Sequence, residues 1–582
     1  MKKIYSILLL LLAVGYVYAQ ETLFNIQLNQ CGFYPAAPKI AIVTAPVEAS
    51  DFYVISSYKK DTVYKGKLGN PVKSDYSAVT TRVVDFSTFN HTGQYFIYIK
   101  NAGSSPTFNI VPNIHHSLSI SSIKAFYYQR VSMPLENKFA GKWARSAGHP
   151  DTAVLIHASA ATQRRPAGFK ISSPGGWYDA GDYNKYIVNS GITVGTMLSA
   201  YEDFTKYFDT LKTNIPESNN TIPDILDEAL YNIRWMLTMQ DPDDGGVYHK
   251  CTNAAFDSVV MPGVTKLARY AVQKGTAATL DFAAVMAQAS RIFSRFKTVL
   301  PGLSDTCLHA ALYAWQWAEK NPDVVYDQTA MNASHQPAIT TGAYGDKYLS
   351  DEQCWASAEL LITTGDAKYA AVLKPCLSNP LSIPSWSKVD MLGWYTILRH
   401  SNIASKAGIN ITALRNRILQ FSDSLIANGG NKAFQTIMGQ SNKDFIWGSN
   451  AVAMNQSILL INSYLLSGKN KYLHYALSNL DYVLGRNATG YCFVTGIGHK
   501  SPMHIHHRPS QADGIAEPVP GLMAGGPNPG MQDKCYYPFT ETETAYTDNN
   551  CAYACNEIAI NWNAPLVYVA GAIEFLTTKP GF

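Results

Sequence analysis

The hydrophobic period of the chain changes once, near Pro112, and this change restricts the fold more than any other feature. Between Leu23 and about Val111 lie seven short β-rich runs, NIQLNQ, KIAIVTA, FYVISSY, TVYKGKL, TRVVDF, QYFIYIK and PTFNIV, separated by Gly, Pro, Asn and Asp. That density of strands predicts a small β-sandwich. Beyond Pro112, apolar residues recur at spacings of three and four in segments such as IKAFYYQRV, ILDEALYNIRWMLTM, TLDFAAVMAQASRIFSRF and VAMNQSILLINSYLL, about a dozen helices through residue 577. Paired helices in that number can stack as a solenoid or close into a double ring; the absence of a fixed-length repeat disfavours the solenoid. A length of 582 residues also exceeds what one core organises, so two unequal domains are expected.

Residues 1–19, MKKIYSILLLLLAVGYVYA, carry two lysines, a short apolar run and small residues before a cut ahead of Gln20. This is an export signal, too short for a stable membrane span. Secretion, either to the periplasm or outside the cell, is therefore expected. Nine cysteines follow, an odd number, with Cys535, Cys551 and Cys555 clustered where a loop staple can form. The formal charge is +4 and falls to +2 without Lys2 and Lys3; basic residues are scattered and no phosphate-cradling Gly-rich loop occurs, so no nucleic-acid partner is expected.

Three segments carry the chemistry. GGWYDAGDYNKY (residues 175–186) places Asp179 and Asp182 three apart before a helical pattern. Crowded carboxylates resist joint ionisation, so one can serve as a base while the other helps hold a water; the plainer reading is that they cap a turn and a helix. YTDNNCAYACNEIAINWNAPLVYVAG (residues 546–571) sets Glu557 at the mouth of an apolar helix, where partial burial raises a carboxyl and keeps it protonated, or where it merely meets the helix dipole. HKSPMHIHHRPSQADG between them holds His499, His504, His506, His507 and Arg508. Without a HExxH pattern these read as donors to sugar hydroxyls rather than as metal ligands.

Together these segments resemble glycoside hydrolase family 9, in the subgroup with an N-terminal immunoglobulin-like domain. GGWYDAGDYNKY resembles the family's DAGD segment. Gly498, Lys500, His506 and Arg508 match its histidine signature, with Cys492 as the one departure, and Tyr546, Asp548, Tyr553, Glu557, Ala559, Asn563 and Ala564 match its glutamate signature. FNIQLNQCGFYPAAPKIAIV resembles the opening of the sandwich domain.

The resemblance implies an all-α (α/α)6-barrel catalytic domain over residues 113–582, preceded by an all-β immunoglobulin-like sandwich over 20–112. It implies an inverting endo-β-1,4-glucanase, with Asp182 as general base, Asp179 positioning the water and Glu557 as general acid. His506, Arg508, Asp548 and Tyr553 would contact sugar or orient the acid, and Tyr344, Trp386 and Trp447 would be stacking platforms or core. No cofactor is implied for the chemistry. The family's carboxylates point to structural calcium at Asp351, Glu352 and Asp390, hard oxygen donors that also suit a helix N-terminus. Zinc is not expected, because NKFAGKWARSAGHPDTAVLIHASA lacks cysteine and leaves His149 and His157 without soft partners. The expected partner is a β-glucan (cellulose, mixed-linkage glucan or xyloglucan) met by a monomer. An exo-acting enzyme, with the segment from Gly525 to Tyr546 closing the groove, and a noncatalytic carbohydrate-binding protein are the other readings.

Overall fold

The computed structural model describes residues 25–577; the export signal expected over residues 1–19 lies outside the described residues. The seven anticipated strands are β1 (Ile26–Gln27), β2 (Ile40–Val43), β3 (Asp51–Ser56), β4 (Thr62–Lys67), β6 (Thr80–Asp85), β7 (Gly93–Ile99) and β9 (Phe108–Ile110), joined by the two-residue strands β5 (Val72–Lys73) and β8 (Gly103–Ser104). They form two antiparallel sheets, β1-β2-β6-β5 and β4-β3-β7-β8, with β9 on β7. Alternation along β3 and β7 sends Phe52, Val54, Tyr95, Ile97 and Ile99 into the sandwich core.

Twelve longer helices follow. In chain order they are α1 (His116–Tyr128), α2 (Ile187–Asp203), α3 (Asp224–Thr238), α4 (Thr276–Phe293), α5 (Leu303–Lys320), α6 (Ser350–Thr364), α7 (Ala367–Cys376), α8 (Asp390–Arg399), α9 (Ile411–Asn428), α10 (Ser449–Ser467), α11 (Asn470–Val483) and α12 (Ile560–Leu576). The even-numbered helices are buried along most of their length and pack on one another, α12 on α2, α2 on α4, α4 on α6, α6 on α8 and α10 on α12. The odd-numbered helices lie outside them, α3 against α2, α5 against α4, α7 against α6 and α11 against α10. This is the (α/α)6 barrel, and it explains the composition of its elements. An inner helix such as α4 is mostly apolar or small and buried nearly all round, whereas an outer helix such as α9 buries only Leu414, Ile418, Ser422 and Leu425.

Five short strands were not anticipated. Val154–Ile156 (β10), Lys170–Ile171 (β11), Lys185–Tyr186 (β12), Lys250–Asn253 (β13) and Arg269–Ala271 (β14) form a sheet in the order β11-β10-β14-β13-β12 beside the N-terminal end of α2.

The sandwich is joined to the barrel through the β1-β2-β6-β5 sheet. Ile42 packs with Ala433 and Phe434, Asn29 Nδ2 donates to Asp481 Oδ1 at 2.7 Å, and Tyr34 OH donates to Glu574 at 2.7 Å. The β5–β6 turn reaches the 527–546 loop, where Glu543 accepts from Ser77 and from Asn431. Cys535–Cys551 ties that loop to the segment just before Glu557, and Cys354–Cys376 ties α6 to α7. Cys555 remains a buried thiol.

Candidate active site

Three chain segments that are remote in sequence meet at the barrel end where α2 and α12 begin. The backbone of Glu557 pairs with His506, Ala559 pairs with Ala180, and Ile558 pairs with Ala524. Ile560 N–H donates to Asp179 O at 2.8 Å and Arg508 N–H to Gly181 O at 3.0 Å. Gly181 is a close-approach position: a Cβ there would fall 2.1 Å from His506 O, so the DAGD turn and the histidine segment touch only because that residue has no side chain.

The result is an open cleft of about 700 Å³ that holds Asp179, Asp182 and Glu557 together with Tyr344, Trp386, Trp447, His506, Arg508 and Tyr553. Two aromatic groups flank the carboxyls. On one side Trp386 meets Tyr344 edge-on at 5.3 Å and Tyr344 meets Tyr186 at 4.8 Å. On the other, Trp447, 39% exposed, lies 5.4 Å from Tyr553, which lies 5.5 Å from the His506 ring. Flat rings beside polar groups suit the apolar faces and equatorial hydroxyls of sugars.

Neither aspartate caps an element. Asp182 accepts from the Asn184 amide and from Tyr186 OH at 3.4 Å; Asp179 accepts from Asn189 Nδ2 at 2.6 Å and from Tyr344 OH at 2.9 Å. Tyr344 holds that contact from a left-handed backbone conformation, φ +46°, one that non-glycine residues adopt mainly where the surroundings impose it.

The three carboxyls differ in protonation. Burial and then the Asp182 charge push Asp179 up to about 8. Burial raises Asp182, but the Asn184 hydrogen bond and the Arg508 and Arg269 charges oppose it. Burial, followed by the charges of Asp182 and Asp179, holds Glu557 well above the usual carboxylate range. Near neutral pH Glu557 and Asp179 therefore both hold their protons, and of the three carboxyls Asp182 is the one whose rise by burial is opposed by a hydrogen bond and two guanidinium charges. A proton donor paired with a proton acceptor is what hydrolysis of an acetal needs.

The histidines separate by role. His506 Nδ1 is engaged with Asn550 O at 2.8 Å, and burial lowers its basicity, so it faces the cleft as a neutral ring. His507 is buried on Gln129 and Ser510. Arg508 donates from Nε to Asp257 O and from Nη1 to Gly181 O, both at 3.0 Å. Asp548 does not line the cleft; its carboxylate accepts from Met503 N–H at 2.7 Å, His504 N–H at 2.8 Å and Asn556 Nδ2 at 3.1 Å, and so joins the histidine segment to the residue preceding Glu557.

Phe256, Thr340, Thr341, Gly342, Ala343, Asn561 and Trp562 also line the cleft without having been singled out from sequence. Phe256 is 47% exposed and stacks under the Arg508 guanidinium at 5.5 Å. Asn561 and Trp562 lie within the glutamate segment, whereas no local pattern marks Phe256 or Thr340 to Ala343.

The metal expectations meet different surroundings. Asp151, near His149, is engaged by Lys185 at 2.7 Å and Arg269 at 3.0 Å, so cations already neutralise the only carboxylate of residues 137–160, and the donor set does not fit zinc. Of the calcium candidates, Asp351 accepts from Val389 N–H at 2.9 Å. Asp390 is pushed up to about 6 by burial and then by the Asp351 charge. Glu352 is raised by burial and then by Asp281, and neither of those two side chains has a hydrogen-bond partner. Among the described residues no three His, Cys, Asp or Glu side chains converge as a metal cage, so Asp351, Glu352 and Asp390 do not form one by themselves.

The match to known proteins covers both domains. Residues 21–104 match the cellulase N-terminal ig-like domain and residues 116–570 match glycosyl hydrolase family 9. A xyloglucan-specific endo-beta-1,4-glucanase of Bacteroides ovatus is 46% identical over 95% of this chain and 94% of its own. Endoglucanase D of Acetivibrio thermocellus is 33% identical over 95% of this chain and 84% of its own. A solved Bacteroides ovatus GH9 structure superposes with a TM-score of 0.89 at 44% identity, covering 95% of this chain and 99% of that one. With the DAGD, histidine and glutamate segments assembled in one cleft and both domains matched over nearly their full length, the chain belongs to glycosyl hydrolase family 9.

Proposed function

We propose that this glycoside hydrolase is an exported endo-β-1,4-glucanase that inverts the anomeric centre, with xyloglucan as its preferred substrate. In this reading Asp182 takes a proton from water, Asp179 helps hold that water, and Glu557 protonates the glycosidic oxygen as the bond breaks. The observation that carries it is the meeting of Asp179, Asp182 and Glu557 in one cleft under unlike surroundings: burial and two neighbouring carboxylates hold Glu557 well above the carboxylate range, whereas the rise that burial gives Asp182 is opposed by the Asn184 hydrogen bond and the Arg508 and Arg269 charges. A water between base and anomeric carbon gives inversion in one displacement, without a covalent sugar intermediate.

His506, Arg508 and Tyr553 hold the sugar beside Glu557, and Tyr344, Trp386 and Trp447 stack along the chain. The preference for xyloglucan rests on two supports. The 46% identical Bacteroides ovatus relative bears that specificity in its name, and one wall of the cleft is built from the small residues Thr340, Thr341, Gly342 and Ala343, which leave room for a branched glucan. Endo action accords with the name of the relative, an endo-beta-1,4-glucanase. Residues 20–112 are the sandwich and residues 113–582 the catalytic domain of a monomer exported by its first 19 residues. Among the described residues no helix is long and apolar enough to cross a membrane.

The test is hydrolysis of xyloglucan, mixed-linkage glucan and carboxymethyl cellulose by wild type and Glu557→Ala, with products resolved by size and by anomeric configuration over time. Mixed oligosaccharides, appearing first as the α-anomer, fastest from xyloglucan and lost in the variant, are expected. No hydrolysis of any glucan by wild type would leave a carbohydrate-binding protein instead.

A further inference from the structure

Lys250 is the first residue of β13 and is wholly buried beside the base. A buried ammonium ordinarily requires a carboxylate, yet the Lys250 Nζ hydrogen bonds go to neutral acceptors: Gly342 O at 2.6 Å, Gln328 Oε1 at 2.7 Å and Thr341 Oγ1 at 3.1 Å. The rings of Tyr186 and Tyr326 lie 5.4 and 5.6 Å away. Two of the three acceptors belong to the 340–344 strap that walls the cleft. Gln328 grips the same strap through Thr341 O at 2.7 Å, and His249 through Ala343 O at 2.8 Å.

The strap leads to both aspartates. At its end Tyr344 OH donates to Asp179 Oδ2 at 2.9 Å. In its middle Thr341 Oγ1 meets Thr252 Oγ1 at 2.6 Å, Thr252 Oγ1 lies 2.9 Å from Asn184 Oδ1, and the Asn184 amide donates to Asp182 Oδ2. Asp182 is also the charge that Lys250 feels: burial brings the ammonium down to about 7, and the Asp182 carboxylate works against that fall. The other titratable groups around Lys250 are neutral, with Tyr186 and Tyr326 raised by burial and His249 lowered to about 3.

We propose that Lys250 is a positioning residue for the catalytic base: its ammonium pins the 340–344 strap, so that Tyr344 and the Thr341–Thr252–Asn184 relay hold Asp179 and Asp182 in register, and its charge favours the Asp182 anion. The proposal rests on the assignment of Asp182 as base.

The experiment compares wild type, Lys250→Met, Lys250→Arg, Thr341→Val and Asp182→Asn on the glucan that wild type cleaves fastest, recording kcat, KM, the pH profile of kcat/KM and thermal unfolding. Lys250→Met is expected to lower kcat by about 10–100-fold, the order of loss that a misplacement of about 1 Å produces, with KM within about 3-fold of wild type. Its acid limb should move to higher pH by about 0.5–1 unit, because removing a nearby cation makes the Asp182 carboxyl easier to protonate. Lys250→Arg should return the limb to its wild-type position. Thr341→Val, which keeps the lysine and cuts the relay, should lower kcat with KM and the limb unchanged, and it decides the positioning claim if Lys250→Met does not fold. An Asp182→Asn enzyme without activity, alongside Lys250→Met with wild-type kcat and limb or Thr341→Val with wild-type kcat, would overturn the proposal. Retained activity in Asp182→Asn would instead overturn the assignment of the base.

Discussion

The two ends of helix α2 bury carboxylates under opposite conditions. At its C-terminal end Glu202 and Asp203 are met by guanidinium groups: Arg291 lies 2.8 Å from Glu202, Arg399 lies 3.3 Å from Glu202 and 2.6 Å from Asp203, and Arg291 also engages Glu359 at 2.9 Å. Burial alone would raise Glu202, yet Arg291, the His400 hydrogen bond and Arg399 pull it well below its usual range. At the N-terminal end, about 25 Å away at 1.5 Å per residue, Asp179 and Asp182 are equally buried and form no ion pair with Lys or Arg within 4 Å, and they are raised. Burial is common to both ends; the presence of a partner decides the sign. One end stores stability in paired charge, and the other accepts a cost in stability for carboxyls that can exchange protons with a substrate.

Substitutions at the cleft end should remove activity without lowering stability. Glu557→Gln and Asp182→Asn are each expected to reduce kcat/KM by about 10³-fold or more, since positioned proton transfer supplies about 10²–10⁴-fold. Their melting temperatures should be at or above that of wild type. A loss of folding in both variants would erase the contrast.

Substitutions at the far end should do the reverse. Arg399→Met leaves Asp203 and part of Glu202 uncompensated in a buried site, a loss of about 3–5 kcal/mol in denaturant unfolding, while kcat below the melting range stays within about 2-fold of wild type, because no Arg399 contact reaches the cleft.

Asp179→Asn tests the sign of the cost directly. The unfolded aspartate releases its proton near pH 3.9, the folded one near 8, so this residue weakens the fold progressively as pH rises between those values. The variant should therefore match wild-type stability near pH 4 and exceed it by up to about 5 kcal/mol near pH 8, as measured by urea unfolding at the two pH values. An equal difference at both would mean that Asp179 carries no raised proton affinity.

The smallest effect is expected at the rim. Trp447→Ala should raise KM about 3–10-fold, the equivalent of about 0.5–1.5 kcal/mol of stacking, with the melting temperature nearly unchanged, since the ring is 39% exposed.

Much of the site was legible because its chemistry lies in short contiguous segments. GGWYDAGDYNKY, HKSPMHIHHRPSQADG and the stretch around Glu557 each carry several cleft residues, and their composition marks them against the surrounding apolar helices. Tyr344 was singled out, but Phe256 and the rest of the strap, Thr340 to Ala343, were not, because they are ordinary residues that become a wall only when the chain folds back. The small β10–β14 sheet escaped for a related reason: strands of two to four residues are too short to display a period of two. Asp548 illustrates a different limit. Its presence in the glutamate segment pointed to the site, but not to whether it meets sugar or backbone, and its acceptors prove to be the N–H groups of Met503 and His504.

The sequence by itself determined the two-domain division at the change of hydrophobic period and the helical, nearly apolar segments of the second domain. Those are local properties, carried by periodicity and composition. Tertiary structure decided in which direction each buried carboxyl is shifted, which lysine feels the Asp182 charge, and which turns form the walls of the cleft. These depend on groups up to several hundred residues apart, such as Gly181 against His506 and Lys250 against Gly342, because a charge is set by what surrounds it in space and not by its neighbours along the chain.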